Sequence, residues 1–264
     1  MISVIIPSYR NPEYLELCLE SAIKLQREKH QNEFIVVVDG FTDMYQQLIR
    51  NFPQVVWISF TENQGLAFAL NTGVQYANNK HVLILNEDNI SPIGWDVVCE
   101  DIYDDNTVVS FMQVEPQQSI FHFKCQDFGT TPKNFNMEGF LTWEQRERKL
   151  PILSDKGCLF PFLINKEKYM MVGGFDTSYS SPFVVDLDFW YKLQLAKLYF
   201  KTSSRMTVYH FGSRSTKKRN GDTTDWNATE RFGMEQFQAK WGFVPSRDNL
   251  YRITPLYGSS MRGI

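Results

Sequence analysis

The chain of 264 residues is poor in cysteine: its four, Cys18, Cys99, Cys125 and Cys158, are scattered and form no CxxC pair. That excludes a zinc knuckle and a dense disulfide framework, and it fits a reducing compartment. Excess charge is also missing. With 27 Lys and Arg against 30 Asp and Glu, the formal net charge is −3, so no overall basic field exists for nucleic acid and only a local basic patch is left open. Long apolar runs are absent as well. The opening Met1-Ile-Ser-Val-Ile-Ile-Pro-Ser-Tyr9 has no basic segment and is too short in apolar residues for a signal peptide or a membrane span, and the expectation is a soluble, cytoplasmic protein. Internal repeats and linker-like stretches are missing too. What is present, 43% hydrophobic and 15% aromatic residues, suffices for a full core, most simply one large α/β domain.

In the first half, short apolar runs alternate with helical patterns. Strands are expected at Ile2 to Pro7, Phe34 to Val38, Val55 to Phe60, His81 to Asn86 and Val108 to Val114. Runs such as Phe34-Ile-Val-Val-Val38 have no polar alternation, as strands buried on both faces of a parallel sheet require. Tyr14, Leu15, Cys18, Leu19, Ala22 and Ile23 make one helical stripe, and Leu66, Ala69, Leu70, Gly73 and Ala77 another. Right-handed βαβ units with helices on both faces follow. The second half is less regular. There a strand is expected within Cys158 to Ile164, a short helix over Lys166 to Val172, a helix over Phe189 to Leu198 and a strand over Met206 to His210. The charged run Glu144-Gln-Arg-Glu-Arg-Lys149 reads as a solvated helical face, and Gly212 to Trp226 as a polar loop.

In parallel α/β sheets ligands bind beyond the carboxyl ends of the strands. Four such ends are polar here: Pro7-Ser8-Tyr9-Arg10, Asp39-Gly40-Phe41-Thr42-Asp43, Thr61-Glu62-Asn63-Gln64-Gly65 and Asn86-Glu87-Asp88. Taken singly, Asp43 and Asn63 read as helix caps and Gly40 and Gly65 as turns. Their coincidence on one rim favours a site, above all Asp88, an acid that follows an apolar strand with no Lys or Arg beside it in sequence.

The ordered segments "SVIIPSYRNPEYLELCLES", "VVVDGFTD", "ENQGLAFALNTGVQYA", "LILNEDNISPIGW", "VGGFDTSYSSPFVVDLDFWYKL" and "VYHFGS" resemble the GT-A-fold glycosyltransferases of family 2 over nearly the whole chain. The resemblance implies a single GT-A, Rossmann-like α/β domain with a mostly parallel sheet, in which residues 1–114 bind the nucleotide sugar and residues 115–264 form the acceptor side. It implies transfer from a nucleoside diphosphate sugar, UDP-linked by expectation, to an acceptor hydroxyl with inversion. Asp39 would accept a hydrogen bond from the base, Pro7 and Tyr9 would flank it, and Asn63 and Gly65 would line the donor site. Asn86-Glu87-Asp88 matches the family's D-x-D motif with Asn86 in place of the first acid. Asp88 would then share a divalent cation, Mn²⁺ or Mg²⁺, with the diphosphate, and His210 would supply a further ligand; the alternative for a lone histidine is packing.

Glycosyl transfer also needs a base for the acceptor hydroxyl. The resemblance assigns it to Asp186 with Asp188 as neighbour, Val185 standing where the family has glutamate; the competing reading makes both aspartates helix caps. The basic loop Arg214 to Arg219 would close over the diphosphate or be an ordinary solvated loop, and Trp143, Tyr179 and Trp190 are available to stack on sugars. Two other functions stay open. A catalytically inactive nucleotide-sugar-binding module would account for Asn86 and Val185 in place of acids. A nucleotidyltransferase would want a basic Gly-rich loop after the first strand, which Pro7-Ser8-Tyr9-Arg10 is not.

Overall fold

Apolar residues at both odd and even positions give the first strands two buried faces, and the computed structural model identifies what covers each. It describes residues 1–27, 32–117, 124–148, 153–154, 160–179, 181–182, 184–212, 225–245 and 253. The strands are β1 (Ser3–Ser8), β2 (Glu33–Asp39), β3 (Val56–Phe60), β4 (His81–Ile84), β5 (Asn89–Ile90), β6 (Thr107–Glu115), β7 (Lys124–Cys125), β8 (Leu153–Ser154), β9 (Phe162–Asn165) and β10 (Tyr199–His210). The helices are α1 (Pro12–Lys24), α2 (Gln46–Asn51), α3 (Leu66–Tyr76), α4 (Trp95–Ile102), α5 (Met137–Glu147), α6 (Lys166–Met171), α7 (Val185–Leu195) and α8 (Trp226–Trp241). Ile5, Ile35, Val37, Val82 and Ile84 face one side, under Leu70 and Val74 of α3, Phe189 and Leu193 of α7 and Phe237 of α8. Val4, Ile6, Val36, Val38 and Leu83 face the other, under Leu15 and Leu19 of α1, Leu48 of α2 and Trp95 of α4. Each fully buried aliphatic side chain contributes about 1.5–3 kcal/mol, which is why uninterrupted apolar runs were required.

The sheet runs β3-β2-β1-β4-β9-β6-β10-β5, with β7 added beside β6 and β8 beside β10. Strand β9 is antiparallel to both β4 and β6, so those two point the same way, and β10 is parallel to β6. The carboxyl ends of β1, β2, β3, β4, β6 and β10 therefore share one rim. A strand from the second half separates β4 from β6, a placement that a four-residue apolar segment has no period to announce.

Two expectations need correction. Glu144 is not on a solvated face: it is 1% exposed. Its carboxylate accepts from Arg148 Nε at 2.7 and 3.0 Å and from the backbone N–H of Thr207 at 3.0 Å. Thr207 lies where the register of β10 against β6 shifts, and the acid takes up an amide donor at that irregularity. Glu144→Ala should lower unfolding stability by about 2–3 kcal/mol, read by urea denaturation, because charged hydrogen bonds are lost and the Thr207 donor is left buried without this acceptor.

The second correction concerns α7, which begins at Val185 rather than near Phe189. Its first turn includes Asp186 and Asp188, but the N-cap is Val184, with no side-chain cap bond. Buried Val184 and Val185 anchor the early start, so neither aspartate is the cap.

Candidate active site

The rim is assembled from the loops that follow the parallel strands, and two buried carboxylates fix it. Asp39, 4% exposed at the end of β2, accepts from Gln64 N–H at 2.6 Å and Gly65 N–H at 2.9 Å. Burial raises its carboxyl and the two amides oppose that rise. The loop before α3 is thereby tied to β2. It needs glycine at two points: Gly65, φ 90°, precedes the helix, and Gly40, φ 86°, would bring a Cβ to 3.1 Å from Asn63 N. Asn63 is exposed on this loop, Tyr9 is half-buried, and Pro7 is buried within β1 opposite Val37.

Glu87 is the second organiser, and it points away from the role of a metal-motif acid. Its carboxylate accepts from Ser8 Oγ, from Tyr9 N–H at 3.1 Å and from Asn11 Nδ2 at 2.8 Å. Tyr45 joins the cluster through Ser8 Oγ at 2.9 Å and Asn11 N–H at 3.2 Å. Burial pushes the Glu87 carboxyl up to about 8 against the Ser8 and Asn11 hydrogen bonds, with Asp88 adding to the rise. The loop after β4 thus holds the loop after β1.

Asn86 is half-buried, and its backbone closes a turn with Asn89: Asn86 N–H donates to Asn89 Oδ1 at 3.0 Å, and Asn89 N–H donates to Asn86 C=O at 3.1 Å. The short β5 that follows pairs with β10, placing His210 opposite Asn89. His210 Nε2 comes to 3.3 Å from Asp88 Oδ1, and His210 Nδ1 to 2.7 Å from Glu115 Oε1. Burial alone would lower the imidazole; Asp88 and Glu115 overcome it and raise it to about 10. Residues 88 and 210, far apart in sequence, are thus brought together. Glu115 was not among the residues singled out, although it ends an apolar strand as Asp39 ends β2. Among the described residues no group of three or more His, Cys, Asp or Glu is arranged to hold a metal. The pair Asp88–His210 offers one oxygen and one nitrogen donor at the separation, about 3.0–3.4 Å, of neighbouring vertices around an octahedral cation with bonds of about 2.1–2.4 Å.

The two aspartates of α7 differ sharply. Asp188 is fully buried. It is held by Trp241 Nε1 at 2.8 Å, Lys240 Nζ at 2.7 Å, Tyr179 OH at 3.2 Å and Lys192 Nζ at 3.6 Å. Asp186 has a buried Oδ1 with no hydrogen-bond partner among the described residues, and burial raises its carboxyl well above the usual range. Val185 is 2% exposed in the core. Asn71 of α3 bonds Phe175 N–H at 2.8 Å and Phe175 C=O at 2.7 Å, which fixes the Gly173-Gly174-Phe175 turn to α3. Of the aromatics named for sugar stacking, Trp190 is excluded by full burial. Trp143 is half-buried against Phe128, and Tyr179 is half-buried and hydrogen-bonded to Asp188. The loop Arg214 to Arg219 lies outside the described residues.

The family model for glycosyl transferase family 2 matches residues 3–167. The chain belongs to that family. This family 2 glycosyltransferase also has solved structural likenesses. S. aureus TarS 1-349 superposes with a TM-score of 0.57 at 13% identity, covering 92% of this chain and 72% of that one. TarS 1-349 in complex with UDP-GlcNAc gives 0.58 at 14%, covering 90% and 66%. GalNAc-T7 with UDP, GalNAc and Mn²⁺ gives 0.56 at 17%, covering 80% of this chain and 43% of that one. At such identities these likenesses establish the GT-A fold. No curated protein matches the sequence. Among the described residues of this glycosyltransferase, no helix is long and apolar enough to cross a membrane.

Proposed function

We propose that this glycosyltransferase moves a sugar from a UDP-linked donor to an acceptor hydroxyl with inversion, using a divalent cation held by Asp88 and His210. The observation that carries the reading is the meeting of Asp88 Oδ1 and His210 Nε2 at 3.3 Å on the rim shared by the parallel strands. Family membership and the UDP and UDP-GlcNAc complexes of TarS support it. A bound Mn²⁺ or Mg²⁺ would neutralise charge developing on the departing diphosphate. Tyr9 packs beside the base, with Pro7 buried behind it. Asp39 holds the loop carrying Asn63 and Gly65 and has lone pairs left for a base N–H. The acceptor oxygen attacks the anomeric carbon as the bond from that carbon to the diphosphate oxygen breaks, and the hydroxyl proton passes to Asp186. UDP and the new glycoside leave.

Isothermal titration with UDP tests the donor half. UDP should bind with Mn²⁺ present and bind at least tenfold more weakly in EDTA, and Asp88→Ala should lose that cation dependence. Undiminished binding in EDTA would remove the cation from the reading. Hydrolysis of a UDP-sugar by the parent chain then separates an enzyme from an inactive binding module.

A further inference from the structure

We infer that Glu115 is the positioning residue of the cation site: its carboxylate holds the His210 ring in one tautomer and one rotation, so that Nε2 faces Asp88 and the cation with its lone pair. The inference rests on the cation reading above and concerns a residue outside the family motifs quoted.

Parallel pairing of β6 with β10 matches Val114 with Tyr209, so the next residues, Glu115 and His210, end the two strands side by side. On the other edge, antiparallel pairing sets His210 against Asn89. The ring is therefore gripped from both sides, Nδ1 at 2.7 Å from Glu115 Oε1 and Nε2 at 3.3 Å from Asp88 Oδ1. The side chains of His210 and Glu115 are 12% and 13% exposed, so water does not readily replace the carboxylate. Carboxylates face both ring nitrogens, so without a cation both can donate. A cation seated between Asp88 and Nε2 requires a lone pair at Nε2, and Glu115, still accepting from Nδ1, keeps the one proton of the neutral ring there. The opposite tautomer would turn a proton toward the cation. A carboxylate behind a ligating histidine also makes the ligand nitrogen more basic. Because no three such groups converge on one point among the described residues, Glu115 stands behind the histidine rather than beside the ion.

The test is Mn²⁺ titration with UDP present, followed by electron paramagnetic resonance. Glu115→Ala should bind Mn²⁺ roughly tenfold to a hundredfold more weakly than the parent. Glu115→Gln should recover most of that loss, since its carbonyl oxygen still accepts from Nδ1. Unchanged thermal unfolding of Glu115→Gln separates this from a folding defect. As a second readout, ¹⁵N resonances of His210 with Mg²⁺ and UDP should report a protonated Nδ1 in the parent and a mixture of tautomers in Glu115→Ala. Parent-like Mn²⁺ affinity in Glu115→Ala, or an unchanged tautomer, would overturn the assignment while leaving Asp88 and His210 as ligands. If the parent bound no Mn²⁺, the cation reading itself would fall, and the role of Glu115 with it.

Discussion

Asp186→Asn should bind UDP and Mn²⁺ as the parent does and transfer sugar about 10²–10⁴ times more slowly, the usual contribution of a positioned base. Its Oδ1 is buried, and no described residue satisfies it. A carboxylate with one oxygen kept from water and from any described partner is less well stabilised as an anion, and burial raises its carboxyl above the usual range. Such a group is a stronger proton acceptor once ionised, and a hydroxyl delivered by an acceptor would supply the missing hydrogen bond. Only the ionised form can act, so the transfer rate should climb with pH through a window above the ordinary carboxylate range.

Stability should move oppositely over that window. Between the unfolded value, about 3.9, and the raised folded value, the folded chain binds more protons than the unfolded one, so its stability falls as pH rises. Asp186→Asn removes that slope. A variant that transfers at the parent rate, or one whose stability keeps the parent's pH dependence, would move the base elsewhere.

Asp188→Ala should lose about 3 kcal/mol of unfolding stability, the lower end of the cost of removing one partner from a buried ion pair. The lower end applies because Lys240 keeps Asp176 at 2.6 Å, while Lys192, Trp241 and Tyr179 lose their contact with Asp188. Burial would raise the Asp176 carboxyl, but Lys240 and Ser178 hold it down to about 2, so that remaining pair persists across neutral pH. The effect on transfer should be smaller than that of Asp186→Asn. Urea midpoints and single-turnover rates on the two variants check the contrast. A loss under 1 kcal/mol would mean that α8 is fastened to α7 by its apolar contacts alone.

The first half of the fold was legible because burial on both faces leaves a plain mark: Phe34 to Val38 and His81 to Asn86 have no other economical reading. Where polar residues follow such runs, the rim could be named from Tyr9, Asp39, Asn63 and Asp88. The second half hid its structure because its decisive interactions join distant residues. Asp188 meets Trp241 across 53 positions and His210 meets Glu115 across 95, and no local pattern foretells either. Glu144 looked like one charge among several in a hydrophilic run, since the backbone donor that draws it inward belongs to a strand 63 residues away. Glu87 was ambiguous for the opposite reason: it sits between Asn86 and Asp88 in a segment that resembles a metal motif, yet its partners are Ser8, Tyr9 and Asn11.

The insertion of β9 between β4 and β6 bears on how the chain acquires its shape. During synthesis β4 and β6 emerge well before Phe162–Asn165, so each presents an open strand edge until that later segment arrives. Open edges template pairing with other chains, and contacts that close large loops form slowly. The strands β1 to β4 are thus complete in sequence long before the sheet is, and until β9 docks the edge of β4 stays open to pairing with another chain.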